Sequence, residues 1–253
     1  TYTITIINVK DLVGNQISPP NNTDQYEYSS SLSEGINLEL KVFLDGPYIN
    51  NSMSTDLSNN SLVPFNQPYS GSPWNYYGNE TVSGIPQNSV DWILLELRTN
   101  TSASSMISRR AAFLRSDGII VDLNGNNQIT FPGVQTGSYY VVVYHRNHLA
   151  IMTKTALQLS ESSSFYDFTN SQNKAYGTQP MKSLGGGNYG LYSADGNANG
   201  NVNNSDNSSV WRPENGSVGY KKGDFDLNGG VTIVDKNEKW KLNKGKISYV
   251  PTN

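Results

Sequence analysis

The hydrophobic positions of this chain recur mainly in short runs that suit β-strands. The clearest runs are Leu38–Leu44, Val90–Arg98, Ala111–Leu114, Gly118–Leu123, Tyr139–Arg146 and Phe165–Phe168. Turn clusters such as Asp45-Gly46-Pro47 separate them, and no long segment has the 3.6-residue period of a helix. Many short strands between such turns are typical of antiparallel sandwiches. The pattern therefore predicts a mainly β fold, with an antiparallel β-sandwich over residues 36–190.

Two of these runs differ in how their side chains alternate. In Ile93–Arg98, leucines alternate with Glu96 and Arg98, which predicts one buried face and one solvated face. Tyr139–Tyr144 is apolar or aromatic throughout, which predicts a central strand.

Residues 1–35 are predicted to form a separate N-terminal segment. Thr1–Val9 alternates with the period of a strand, and the polar stretch Gly14–Ser33 is typical of a linker or a long loop. A strand that precedes a linker can pair with a sheet edge of a neighbouring molecule. Self-association through this strand is therefore one hypothesis for assembly.

The stretch Gly46–Asn88 is predicted to be a long loop rich in Asn, Ser, Pro and aromatic residues. Long loops in compact domains are usually functional or packed as covers. The aromatic residues Tyr69, Trp74, Tyr76 and Tyr77 allow two interpretations. They form a platform on which sugar rings stack, or they pin the loop onto the sandwich. The first interpretation makes a carbohydrate-binding module, with a polysaccharide as partner, the alternative function.

Residues 191–253 contain an internal repeat with a period of 29 residues. Identical residues recur at this offset in the pairs Asp195/Asp224, Asn199/Asn228, Gly200/Gly229, Val202/Val231, Asp206/Asp235, Trp211/Trp240, Gly216/Gly245 and Tyr220/Tyr249. So many matches at one offset indicate a duplicated structural unit.

Each repeat opens with a loop that has the oxygen ligands of a calcium site. Calcium takes roughly six to eight oxygens, and such a loop supplies them from positions 1, 3, 5, 7 and 12. The predicted ligands of the first loop are Asp195, Asn197, Asn199, the carbonyl of Asn201, and Asp206. Those of the second loop are Asp224, Asp226, Asn228, the carbonyl of Gly230, and Asp235. The second loop has the additional carboxylate, so we expect it to bind calcium more tightly.

The repeated spacing also predicts how the two repeats pack. Val202 and Val231, at position 8, are predicted to point inward and to pair the two loops. Trp211 and Trp240, on short helices after the loops, are predicted to cap this small core.

The loops DGNANGNVNNSD and DFDLNGGVTIVD resemble the duplicated calcium-binding repeat of type I dockerins, over residues 195–249. The resemblance implies two calcium ions and a small unit of paired loops with short helices. Dockerins attach secreted enzymes to cohesin-bearing scaffolds, so it also implies an extracellular protein partner. Here the helical segments are short, and positions 10 and 11 are Asn204-Ser205 and Ile233-Val234 rather than a matched pair. A role within the chain, with the repeats packed on the sandwich, is therefore an equally open interpretation.

The sandwich with its Arg146-Asn147-His148-Leu149 turn is similar to C-terminal modules of large secreted bacterial surface proteins. Composition agrees with a secreted or cell-surface protein. Charged residues make up 15%, the net charge is -3, and no basic stripe suggests a nucleic-acid partner. No apolar run approaches the ~20 residues that span a membrane, so no membrane insertion is expected. The chain has no cysteine, so bound metal would take the stabilising role of disulfides.

No catalytic constellation emerges from the sequence. His145 and His148 have no third ligand nearby for a zinc site, and there is no Gly-x-Ser-x-Gly elbow. Asp91 and Glu96 lie an odd number of residues apart in one strand, which makes them a poor acid–base pair. The sequence therefore predicts a non-catalytic extracellular module for structure, adhesion or assembly, stabilised by calcium. Its partners would be other copies of itself or another extracellular protein.

Overall fold

The structure, a computed structural model, describes residues 2–5, 10, 13–16, 23–26, 35–162 and 164–252. The strands are β1 (Tyr2–Thr5), β2 (Thr23–Tyr26), β3 (Ile36–Lys41), β4 (Tyr48–Ile49), β5 (Ser52–Met53), β6 (Ser89–Arg98), β7 (Met106–Arg115), β8 (Ile120–Val121), β9 (Ile129–Phe131), β10 (Gly137–His145), β11 (His148–Met152), β12 (Leu157–Leu159), β13 (Ser164–Asp167), β14 (Lys182–Gly185) and β15 (Asn188–Gly190).

Helices are few and short. The α-helices are α1 (Asp56–Asn59), α2 (Arg212–Glu214) and α3 (Lys241–Asn243), and single 3-10 turns lie at Ala103–Ser105 and Gln172–Lys174. Wider π-type turns at Asp206–Trp211 and Asp235–Trp240 lead directly into α2 and α3. The chain is therefore mainly β, as its hydrophobic pattern predicts.

Two sheets enclose the main core. The larger has the order β11-β10-β6-β7-β8, with β12 also paired to β10, and the smaller has the order β13-β3-β9. In β3, Ile36, Leu38 and Leu40 point inward at alternate positions, as an amphipathic strand requires. They share one apolar cluster with residues such as Trp92 and Phe113 of the larger sheet. This arrangement confirms the β-sandwich.

One strand pair corrects the prediction of a wholly antiparallel sandwich. β13 lies parallel to β3, with Phe165 beside Glu39 and Asp167 beside Lys41. A parallel pair needs a long connection between its strands. Here that connection is most of the sandwich, since β4 to β12 lie between the two strands in the chain.

β6 also differs from its predicted half-buried pattern, because it is buried along its whole length. Glu96 and Arg98, predicted to face solvent, are both buried. Distant segments cover their face of the sheet: Arg98 donates to the carbonyl of Pro251 at 2.9 Å, and Arg109 donates to that of Trp74 at 2.8 Å. The alternation of residues along one strand does not indicate that distant segments will cover its polar face.

These buried charges are paired within the sheet. The two carboxylate oxygens of Glu96 each lie 2.5 Å from a guanidinium nitrogen, one of Arg98 and one of Arg109. The hydroxyl of Tyr144 accepts from Arg98 at 2.9 Å. Removing one member of such a cluster leaves an uncompensated buried charge.

The polar stretch Gly14–Ser33, predicted as a linker, contains β2. This strand pairs antiparallel with β1, with Tyr2 opposite Tyr26 and Thr5 opposite Thr23. β1 falls within the predicted strand Thr1–Val9, and residues 6–9 of that prediction lie outside the described residues. The domain boundary near residue 35 stays a prediction.

We expect Glu96→Ala to lower the free energy of unfolding by about 3 to 5 kcal/mol, because Arg98 would stay buried without its partner. Asp117→Ala is the matched control. It removes an exposed ion pair with Arg115, 2.8 Å long, and should cost less than about 1 kcal/mol. Urea unfolding of both variants measures the difference. Equal losses would show that the Glu96 cluster does not stabilise the sandwich.

Candidate calcium-binding loops

The first aspartate of each loop is buried and accepts hydrogen bonds from its own loop's backbone. Asp195 accepts from the N–H groups of Asn199 and Gly200, both at 3.0 Å. Asp224 accepts the two corresponding bonds in the second loop, at 3.1 and 2.9 Å. Gly200 and Gly229 have φ of 81° and 92°, the left-handed region that favours glycine. The sharp turn predicted at position 6 is therefore present in both loops.

The aspartate at position 12 closes each loop. Asp206 accepts from the N–H groups of positions 3 and 9, at 3.2 and 2.8 Å. Asp235 accepts the corresponding bonds in the second loop, at 3.1 and 2.7 Å. The two loops thus have the same internal hydrogen bonds at the 29-residue offset.

The carboxylates predicted as ligands come together in the second loop. In the second loop, carboxylate oxygens of Asp224, Asp226 and Asp235 all lie within 4.8 Å of one another. The first loop has carboxylates at Asp195 and Asp206 and amides at positions 3 and 5. These donors are all oxygens, which suits a hard cation such as calcium.

The two position-7 residues, predicted to contribute carbonyls, lie in short backbone bridges. Asn201 bridges to Ile247, and Gly230 bridges to Val218. Each loop therefore pairs with the segment that follows the helix of the other repeat.

The backbones of Val202 and Val231 do not bond to each other but to the other repeat's following segment. Val202 exchanges hydrogen bonds with Gly245 and Lys246, at 2.8 and 2.9 Å. Val231 makes the equivalent bonds to residues 216 and 217. The reason is that each short helix returns the chain beside the opposite loop. Both valine side chains are nevertheless buried in one apolar cluster, as predicted.

The two tryptophans complete this crossed arrangement. The indole N–H of Trp211 donates to the carbonyl of Thr232, and that of Trp240 donates to the carbonyl of Asn203, both at 2.7 Å. Thr232 and Asn203 occupy position 9 of their loops. Each tryptophan therefore caps the small core, as predicted, and also holds the opposite loop.

The ligand carboxylates lie in an environment that disfavours their charge. Burial, with a further contribution from Asp206, raises the pKa of Asp195 to about 7. Burial also raises the pKa of Asp224, and the neighbouring Asp235 adds to the effect. A bound cation would favour the charged forms of these groups.

Asn147, in the turn between β10 and β11, joins both loops to the sandwich. Its carbonyl accepts from the N–H of Asp195 at 3.1 Å, and its side-chain amide donates to the carbonyl of Asp224 at 2.7 Å. The sequence of the turn Arg146-Asn147-His148-Leu149 does not indicate this role for Asn147. A single polar residue in a turn has no local signal for a contact made 48 and 77 residues away.

Arg146 attaches the same turn to the interior of the sandwich. It donates to Asp91 at 2.8 Å and lies 4.1 Å from the ring centre of Tyr220. The hydroxyl of Tyr220 donates to Asp91 at 2.6 Å. Asp91 is therefore a structural anchor for this junction and does not approach Glu96 as a catalytic partner.

His145 and His148 are buried within this junction. Nitrogen atoms of the two rings lie 3.0 Å apart, His145 contacts Asp91 at 3.1 Å, and His148 accepts from the N–H of Gly46 at 3.1 Å. Burial lowers the pKa of both imidazoles, so both are neutral near pH 7. Their contacts are those of structural residues.

The four aromatic residues considered as a sugar-stacking platform do not share an exposed face. Tyr69 and Trp74 are buried edge to face, 5.0 Å apart, and Tyr69 donates to the carbonyl of Trp92. Tyr76 is half-buried, and Tyr77 is 96% exposed. The predicted platform of four rings is corrected to one exposed ring, because the others pin the loop onto the sandwich. The carbohydrate-binding alternative then depends on Tyr77 alone.

Comparisons with known proteins give few matches. No family model matches this chain, and no curated protein matches it. Two similar solved chains come from an N-terminal and a C-terminal interface mutant of a type II Cohesin-X-Dockerin complex from Acetivibrio cellulolyticus. They are 11% and 12% identical, with TM-scores of 0.42 and 0.43, and each match covers 85% of this chain and 98% of that chain. Identities and TM-scores this low do not indicate what this chain binds.

No helix among the described residues is long and apolar enough to cross a bilayer.

The raised pKa of Asp195 predicts how the metal-free protein responds to pH. Between about pH 4 and about pH 7 the folded state holds a proton that the unfolded state has lost, so stability falls as pH rises. The buried, neutral His145 and His148 act in the opposite direction over this interval, so the measurement compares the wild-type chain with Asp195→Asn. After metal removal by chelation, the melting temperature of the wild type should lose more, or gain less, between pH 5 and pH 7 than that of Asp195→Asn. Equal changes in the two chains would contradict the prediction.

Proposed function

We propose that this chain is a non-catalytic extracellular module for structure, adhesion or assembly, whose C-terminal unit is locked by two calcium ions. The observation that carries the proposal is the convergence of Asp224, Asp226 and Asp235, whose carboxylate oxygens lie within 4.8 Å of one another. Repulsion among such groups and their burial both oppose ionisation, and a divalent cation offsets both.

The residues that would hold the ions are those predicted from the sequence. In the first loop they are Asp195, Asn197, Asn199, the carbonyl of Asn201, and Asp206. In the second they are Asp224, Asp226, Asn228, the carbonyl of Gly230, and Asp235. When bound, calcium supplies positive charge that favours the closed loop. Because Trp211 and Trp240 each hold the opposite loop, closing one loop also stabilises the other.

The environment of the remaining ionisable groups supports a non-catalytic role. Asp91 is held by Arg146, His145 and Tyr220, and Glu96 is held by Arg98 and Arg109. These groups are buried and serve the packing of the sandwich.

We expect calcium to raise the melting temperature of the full chain relative to the same protein in a chelator, because an ion that binds only the folded state stabilises it. At one hundred times the dissociation constant this amounts to about 2.7 kcal/mol. If the melting temperature is the same in both conditions and no ion is retained after purification, the calcium proposal is wrong.

The two loops should differ in affinity. Calorimetric titration of the metal-free protein should show a tighter step that Asp235→Asn removes and a weaker step that Asp206→Asn removes. Asp117→Asn, on an exposed turn outside the loops, is the matched control and should leave both steps unchanged. Loss of the tighter step in Asp206→Asn would reverse the expected order.

Two exposed features support a protein partner or a second copy of this chain. Ile233 and Val234, at positions 10 and 11 of the second loop, are 54% and 37% exposed. β1 and β2 pair with each other and with no other strand in the described part of the chain, so each keeps an outer edge. The pairing of β1 with β2 within one chain counts against exchange of β1 between copies but leaves pairing at its outer edge open.

Sedimentation over a range of concentrations tests assembly. Self-association through the N-terminal strand predicts oligomers that Ile4→Pro abolishes, since proline cannot donate to a strand ladder. Ile233→Asp, on the calcium unit, should leave those oligomers intact. A monomer at every concentration, or oligomers lost only in Ile233→Asp, would overturn the N-terminal mechanism.

A further inference from the structure

A second polar cluster, made of residues other than Asn147 and the predicted calcium ligands, joins the sandwich to the C-terminal unit. It consists of Asp45 after β3, Lys182 at the start of β14, and Asn243 at the end of α3. The ammonium nitrogen of Lys182 lies 2.9 Å from Asp45 Oδ1 and 3.1 Å from Asn243 Oδ1. The amide nitrogen of Asn243 donates to Asp45 Oδ2 at 2.7 Å. The carboxylate therefore contacts both the amine and the amide.

The orientation of the Asn243 amide follows from its neighbours. Its nitrogen also donates to Ser193, to the hydroxyl at 2.9 Å and to the carbonyl at 3.1 Å. A flipped amide would place its oxygen against the carboxylate of Asp45 and the Ser193 carbonyl, both acceptors. The amide carbonyl is thus held toward the Lys182 amine. Asn243 is only 1% exposed, so its amide is shielded from water.

An amine, a carboxamide and a bridging buried carboxylate are the groups needed for a transamidation within the chain. We propose that Lys182 and Asn243 form an isopeptide bond, with Asp45 carrying protons between the two nitrogens. The proposal does not depend on calcium, since none of the three residues belongs to the predicted ligands.

The reaction balances without an oxidant or a co-reactant. Asp45 takes a proton from the Lys182 ammonium, and the freed lone pair on Nζ attacks Cγ of Asn243. The Cγ–Nδ2 bond breaks as Asp45 passes that proton to Nδ2. A second proton follows the same route from Nζ, and the leaving nitrogen departs as ammonium. An ammonium and a carboxamide become a secondary amide and an ammonium ion, and Asp45 is regenerated.

The surroundings hold the reacting groups in place. Burial opposes ionisation of Asp45, but Lys182, Asn243 and Ser193 outweigh it and lower the pKa of this carboxyl, so Asp45 is ionised and accepts hydrogen bonds from both nitrogens. The Lys182 side chain is 25% exposed, which leaves a path for ammonium to depart. Holding the reacting groups together provides an effective molarity that reaches about 10⁵ to 10⁸ M in well-oriented cases.

The bond would enclose both calcium loops, because Lys182 precedes Asp195 and Asn243 follows Asp235 in the chain. It would join the end of α3 to the start of β14. In a chain without cysteine, this crosslink would do what a disulfide does, by restricting the unfolded state.

The intact mass of the purified full chain tests the proposal. We expect a mass about 17 Da below that of the sequence, which corresponds to one lost ammonia. Lys182→Arg and Asp45→Ala should each show the full mass of their own sequences. Lys239→Arg is the matched control: Lys239 donates to the nearby carbonyl of Gly46 at 2.8 Å, so this variant should keep the mass deficit.

Fragmentation of a protease digest should show a branched peptide that joins Lys182 to Asn243. Asn243→Asp should lose water instead, about 18 Da, since its leaving group is then hydroxide. Lys182→Arg keeps the positive charge beside Asp45, so its test does not depend on how Asp45→Ala folds. A wild-type chain of full mass with no branched peptide overturns the proposal, as does a deficit that persists in Lys182→Arg.

Discussion

The C-terminal unit depends on one asparagine that holds the first residue of both loops at once. Asn147 accepts from the backbone of Asp195 and donates to the carbonyl of Asp224, and it is fully buried. Its contacts fix the separation and orientation of the loops relative to the β10–β11 turn. Since Arg146 anchors that turn to Asp91 inside the sandwich, the loops and the sheet are parts of one hydrogen-bonded junction.

The placement of this junction has an energetic consequence. Burying the loop carboxylates disfavours their charged forms, as the raised pKa of Asp195 shows. In the second loop the carboxylate oxygens of Asp224, Asp226 and Asp235 lie within 4.8 Å of one another. A cation bound there, as proposed above, would offset this electrostatic cost and would favour the docked state.

Sequence reasoning recovered the features that depend on local pattern. The 29-residue repeat located the two loops, and the turn glycines Gly200 and Gly229 have the predicted positive φ. Alternating and apolar runs located the main strands. What sequence reasoning missed depends on contacts between distant segments. The burial of Glu96, the parallel pairing of β13 with β3, and the role of Asn147 all arise where segments far apart in the chain meet.

The repeats are paired crosswise, so each loop depends on contacts from the other repeat. The backbone of Val202 pairs with the segment after the second helix, and that of Val231 pairs with the segment after the first. The tryptophan hydrogen bonds also join the two repeats, since each runs from one helix to position 9 of the other loop. A repeat that lacked its partner would lose both the strand partner of its loop and the cap on its core. Each repeat therefore supplies surface that the other buries, as stacked repeats do.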